Sequence, residues 1–164
     1  MSEVQEKPGG VRSENCQAII PHLVCGGAAD AIDFYKKAFG AEETMRLAGA
    51  NGKLMHAAIK IGGSSIMLVD EAPEWGSLSP LTLGGSPVTI HLYVADVDAF
   101  VERAVKAGAI LRMPVADMFW GDRYGIVEDP FGHKWSVATH LRDMSKHEIE
   151  EAMKQFMPSS NCAS

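Results

Sequence analysis

At 164 residues the chain is the length of one ordinary domain, or of two half-sized units folded together. Its 46% hydrophobic and 22% charged residues suit a soluble globular protein whose core needs no disulfide or metal staple. A net charge of −6 leaves no surplus of Lys and Arg for phosphates, which excludes a general nucleic-acid binder. No apolar run reaches the ~18 residues that would span a bilayer, and the polar residues 1–14 carry no signal-peptide core. Cys16, Cys25 and Cys162 lack metal-type spacing, so they are expected to be reduced thiols of a cytoplasmic protein, with Cys25 a small apolar strand residue.

In chain order, an alternating run over 19–25 reads as a strand. A helix then starts near Asp30, carries Ala31, Ile32, Tyr35 and Phe39 on one face, and ends at Gly40. Strands are expected over 43–47, 54–61 and 65–69, with turns at Asn51-Gly52 and Gly62-Gly63. The order then repeats: a strand over 88–94, a helix from Asp98 to Gly108, and strands over 110–113, 124–128 and 134–139. The two helical segments, Asp30-Ala31 to Gly40-Ala41 and Asp98-Ala99 to Gly108-Ala109, match at one constant offset. Asp30 and Asp98 are expected to cap their helices. Ser145 and Glu148 form a capping box ahead of an apolar stripe, Ile149, Ala152, Met153, Phe156 and Met157, which would pack on the body or on a second subunit.

These elements divide the chain into a tail (1–14), a first module (15–71), a linker rich in Pro, Gly and Ser (72–87), a second module (88–140), a terminal helix (141–157) and a tail (158–164). The fold class expected is α+β, two βαβββ modules forming a curved mixed sheet around a cleft. Strand parity sorts each strand into two faces. Leu23 and Cys25, Ile90 and Leu92, and Trp135 and Val137 form an apolar face for the helices. His22, His56, Thr89, His91, Tyr93 and Ser136 fall on the other. That second face could simply meet water, but its His, Tyr and Met content favours the lining of a pocket.

The segments FYKKAFGA (34–41), DVDAF (96–100), FWGDRYG (119–125) and DPFGHKW (129–135) resemble the vicinal oxygen chelate superfamily of glyoxalases, bleomycin-resistance proteins and extradiol dioxygenases, its PhnB-like branch in particular. The resemblance implies paired βαβββ units, a homodimer and, in the metal enzymes, one ligand on the first and last strand of each unit. Those positions fall on Ile20, Met67, Thr89 and Ser136. Ile and Met cannot hold a hard divalent ion and hydroxyls are poor substitutes for imidazole and carboxylate. The family metal, and with it any cofactor, is expected to be absent. An alternative is a displaced divalent metal on His22 and His91, completed by Asp70 or Glu71.

The expected ligand-binding residues are His22, His56, Met67, Thr89, His91, Tyr93 and Ser136, with Trp120 and Arg123 at the rim. Arg123 would either anchor an anion or pair with Asp122. Trp75 is a second loop aromatic that could wall a site, and Glu71 a candidate base. His133 is expected to be structural and Trp135 to lie in the core. The implied function is a small-molecule-binding protein that holds or sequesters a metabolite or drug, or performs metal-free acid/base chemistry through a histidine. The alternatives are a metal-dependent lyase, isomerase or dioxygenase, and a structural dimer with no ligand.

Overall fold

A computed structural model describes residues 17–156. The expected tails, Cys16, Cys162 and Met157 lie outside the described residues. The first module contains β1 (His22–Cys25), α1 (Ala28–Phe39), β2 (Glu42–Ala48), β3 (Leu54–Ile61) and β4 (Ser64–Asp70). A 3-10 turn (Pro73–Trp75) and a short helix α2 (Pro80–Leu83) break up the linker. The second module contains β5 (Thr89–Tyr93), α3 (Val97–Lys106), β6 (Ile110–Asp117), β7 (Asp122–Glu128) and β8 (Lys134–His140), and α4 (Lys146–Phe156) follows.

Each module folds into a four-stranded sheet of the same topology, β1-β4-β3-β2 and β5-β8-β7-β6. The first strand runs parallel to the last, and the other pairs are antiparallel. The architecture is the expected α+β pair of βαβββ units. No helix among the described residues is long and apolar enough to cross a membrane.

Both helices are amphipathic, and one core joins the modules. Phe39 of α1 lies 4.9 Å from Phe100 of α3 and 4.9 Å from Trp135 of β8, ring centre to ring centre. At the centre Asp129, 1% exposed, accepts hydrogen bonds from Tyr35 Oη (2.5 Å), Trp135 Nε1 (2.9 Å) and the backbone N–H groups of Phe131 (2.9 Å) and His133 (3.0 Å). A buried carboxylate is tolerated when donors surround it, as here. His133 is buried, with Nε2 3.1 Å from the Val24 carbonyl oxygen. Cys25 is fully buried, and burial pushes its thiol up to about 12. The structural readings of His133, Trp135 and Cys25 hold.

Several local expectations are corrected. β1 begins at His22 because Pro21 has no N–H to give the ladder, although its carbonyl accepts from Met67 N (2.9 Å). β6 runs past Met113 and Pro114 to Asp117, since an edge strand with shifted register accommodates a proline. Asp30 and Asp98 do not cap their helices. Asp70 Oδ1 takes the N–H groups of Gly27 (3.1 Å) and Ala28 (2.8 Å) at the start of α1, and Asp96 Oδ1 takes Ala99 N (3.0 Å) at the start of α3. The Ser145–Glu148 box forms as expected, with Ser145 N donating to Glu148 Oε2 (2.7 Å). None of α4 is buried; Phe156 meets Phe119 at 5.3 Å between ring centres.

Candidate functional site

β1 and β5 are the edge strands of their sheets. Residues of both border a cavity of ≈ 580 Å³, roofed by linker residues that include Leu78, Pro80 and Leu83. Of the expected lining residues His22 and Thr89 border this cavity, together with Leu23, Ile90 and His133 from the helix-facing side. The other expected lining residues sit further along the two faces.

Strand register pairs His22 with Met67 on the first sheet and His91 with Ser136 on the second. These are equivalent rungs of the repeated fold. His22 lies 6.3 Å from the ring of His56. Burial, and then the neighbouring His56, push the His22 pKa below its ordinary value. On the second sheet His91 Nδ1 and Ser136 Oγ are 2.8 Å apart. The expected set thus divides into His22, His56 and Met67 on one face and Thr89, His91, Tyr93, Trp120 and Ser136 on the other.

The second face centres on Asp122, a residue that sequence reasoning treated only as a partner for Arg123. Asp122 is 5% exposed. Its Oδ2 accepts from Tyr93 Oη (3.1 Å) and Trp120 Nε1 (3.2 Å), and its Oδ1 lies 2.8 Å from His140 Nδ1. The carboxylate pushes the Tyr93 pKa up by accepting its proton in a hydrogen bond. Asp122, and then Asp143 at 3.0 Å from Nε2, raise the pKa of His140. Around this carboxylate the rings form a continuous wall: Tyr93 to His91 at 4.6 Å, His91 to Tyr124 at 6.1 Å, and Tyr124 to Trp120 at 5.5 Å. Tyr93 remains 59% exposed.

Local backbone places these groups. Gly121 has φ +99°, and a Cβ there would stand 2.5 Å from the Arg142 carbonyl oxygen, so the turn between Trp120 and Asp122 requires glycine. The Gly121 carbonyl in turn accepts from Leu141 N (3.0 Å) and Arg142 N (3.1 Å), anchoring the chain after β8. Asp122 shares the parity of Tyr124 on β7, which was the sequence signal that it belongs to this face.

Arg123 has the opposite parity and is corrected. It turns to the helix side, forms a two-pronged pair with Asp98 (2.6 and 2.8 Å) and reaches Asp117 (2.8 Å), so its partners are these two acids and not Asp122. Glu71 is corrected as a base. Its carboxylate accepts from Thr82 Oγ1 (2.7 Å) and Ser79 N (3.0 Å), which hold its pKa below the ordinary range and tie down α2. Trp75 is 75% exposed, beside a separate small pocket near Asp70 and Glu71.

The displaced metal reading needs Asp70 or Glu71, and both are committed to the bonds above; Asp70 Oδ2 also accepts from Leu54 N (2.6 Å). Among the described residues no three His, Cys, Asp or Glu side chains converge in a metal-holding group. Ile20, Met67, Thr89 and Ser136 present carbon, thioether and hydroxyl groups. That donor set does not fit a hard divalent ion.

The family model for the glyoxalase/bleomycin resistance protein/dioxygenase superfamily matches residues 19–137, both modules together. The chain belongs to this superfamily. An uncharacterized Mycobacterium bovis protein is 52% identical over 139 residues, covering 83% of this chain and 91% of the relative. Two solved superfamily-like structures resemble the fold. TioX from Micromonospora sp. ML1 is 27% identical, covers 77% of this chain and 100% of its own, and has TM-score 0.60. An Arabidopsis thaliana gene product is 31% identical, covers 75% and 98%, and has TM-score 0.61. A PhnB protein from Bacillus cereus, 17% identical with TM-score 0.58 over 75% of this chain and 99% of its own, shares the fold.

Proposed function

We propose that this superfamily member is a small-molecule-binding protein that holds or sequesters a metabolite or drug on the second sheet's open face, without the family metal. The observation that carries this reading is the wall of four rings around a buried carboxylate, with His91 and Tyr93 exposed and Tyr124 and Trp120 half-buried. Exposed aromatic groups with a few fixed polar groups are the make-up of a ligand site. A solvated sheet face would carry Lys, Glu and Thr instead. The cavity shared by His22 and Thr89 offers room for a ligand that extends toward the first module.

The protein works as a homodimer in this reading. Exposed Met45, Leu47 and Val88 on or beside the open faces give a second copy apolar surface to cover. The test is thermal shift against a panel of aromatic compounds of differing charge, in the wild type and in Tyr124→Ala. A hit should raise the melting temperature of the wild type and lose most of that effect in the variant. Elemental analysis of untagged protein runs beside it. Stoichiometric zinc, nickel or manganese that disappears in His22→Ala or His91→Ala would replace this reading with a metal-assisted one.

A further inference from the structure

We infer that the ligand taken by this face is an organic cation, an ammonium or guanidinium group carried on an apolar body; the inference rests on the binding reading above. Three observations carry it. First, Asp122 brings a buried carboxylate to the foot of the ring wall; its hydrogen-bonding partners are a phenol, an indole and His140, which is shared with Asp143, so that even a protonated imidazole leaves the two acids with a net negative charge. Second, the arginines nearest in sequence face other acids. Arg123 is engaged by Asp98 and Asp117 on the helix side, and Arg112 by both oxygens of Glu128 (2.9 and 3.0 Å). Third, the rings are set as walls rather than as a packed stack. Trp120 and Tyr124 meet at 79°, and His91 and Tyr93 at 85°.

The chemistry follows from the two donors on Oδ2. A phenol O–H or an indole N–H that donates to a carboxylate becomes richer in electron density, so the ring face grows more negative. Tyr93 and Trp120 both donate to the same oxygen, so both rings carry that bias toward a cation. A cation at these faces also feels the carboxylate behind them, whose burial leaves its charge less screened than that of a surface acid. An anion meets the same field with the opposite sign. The carboxylate itself needs no contact with the ligand, which agrees with its burial.

The experiment is titration calorimetry with three ligands of one shape class: benzyltrimethylammonium, benzyl alcohol and benzoate. The cation should bind and benzoate should not. Trp120→Leu and Tyr124→Leu should each weaken the cation about three- to thirtyfold, the span that cation–ring contacts cover. Tyr93→Phe keeps the ring and removes its donor, and should weaken the cation by a smaller factor. Asp122→Asn should weaken it too, but the ring variants decide the matter if that variant fails to fold. Benzyl alcohol or benzoate binding as tightly as the cation, with loss in Tyr124→Leu, would overturn the cation assignment and leave the binding reading standing. Cation binding indifferent to both Leu variants would also overturn it. If none of the three ligands binds, the cation assignment falls, and the thermal-shift panel alone decides the binding reading.

Discussion

Asp129 and Asp122 are the same chemical device used in two places. Each is a buried carboxylate that accepts from a tyrosine O–H and a tryptophan N–H on one oxygen. At Asp129 the rings of Tyr35 and Trp135 are fully enclosed and the remaining oxygen is filled by backbone N–H groups. At Asp122 the rings of Tyr93 and Trp120 reach solvent, and the remaining oxygen is met by an exposed histidine. The first arrangement spends all its donors and ring faces on joining the modules. The second leaves its rings partly open to solvent. A satisfied polar cluster is therefore structural or functional according to what its rings face, not according to its hydrogen bonds.

The largest effect that separates the two is stability. Asp129→Ala strands four donors in the core and should cost about 3 kcal/mol, a fall in melting temperature of roughly 6–12 °C. Asp122→Ala strands three donors nearer to water and should cost about 1 kcal/mol while weakening ligand binding. Chemical denaturation of both variants checks this. Equal losses of stability, with binding intact in Asp122→Ala, would dissolve the contrast.

The same enclosure predicts alkaline behaviour. Burial first, and then Asp129, hold the Tyr35 pKa well above its ordinary value, and burial carries Cys25 to about 12. For both groups the folded state keeps a proton that the unfolded chain releases, from about pH 9 for a thiol and about pH 10 for a phenol. Their contribution is thus complete below about pH 9 and is lost as the pH rises toward 12. Stability should fall steeply over that window. At pH 8 the Cys25 peptide should resist iodoacetamide until denaturant is added, which peptide mass spectrometry reads directly.

Histidines give a subtler contrast between the faces. The carboxylates beside His140 raise its pKa, whereas burial and His56 lower that of His22. Proton NMR should therefore show His22 titrating below about pH 6.5 and His140 above it. In Asp122→Asn the His140 midpoint should move down, and that of His22 should stay. The sign for stability follows: His140 supports the fold fully below its unfolded value and loses that support as the pH rises through its raised folded value.

Much of this molecule can be read in its residues. The repeated helix with its flanking strands gives both modules, and parity alone puts His22, Thr89 and His91 on the face away from the helices. What parity reads well is the middle of a strand. Its errors come at element ends, where neighbouring acids compete for one role: Asp96 over Asp98 at α3, Asp70 over Asp30 at α1. Such choices depend on which carboxylate the tertiary fold brings to the free N–H groups, and Asp70 is far from α1 in sequence. β6 outruns its expected end at Met113 for a different reason, since only the sheet order shows that it is an edge that tolerates Pro114.

Arg123 is the case where parity was available and a charge argument displaced it, and its removal should have the smallest effect of all. The side chain is half-exposed on the helix side, held by the exposed acids Asp98 and Asp117, and water screens pairs of this kind heavily. Arg123→Ala should leave the denaturation midpoint within error of the wild type. It should also leave binding at the ring wall unchanged for ligands of any charge, because β7 lies between the guanidinium and that face. An anion anchor would behave differently: acidic ligands would weaken and neutral ones would not. Finding that selective loss would mean that Arg123 leaves its two acids to reach the site, and the cation reading of Asp122 would then have to accommodate a positive charge on the same face.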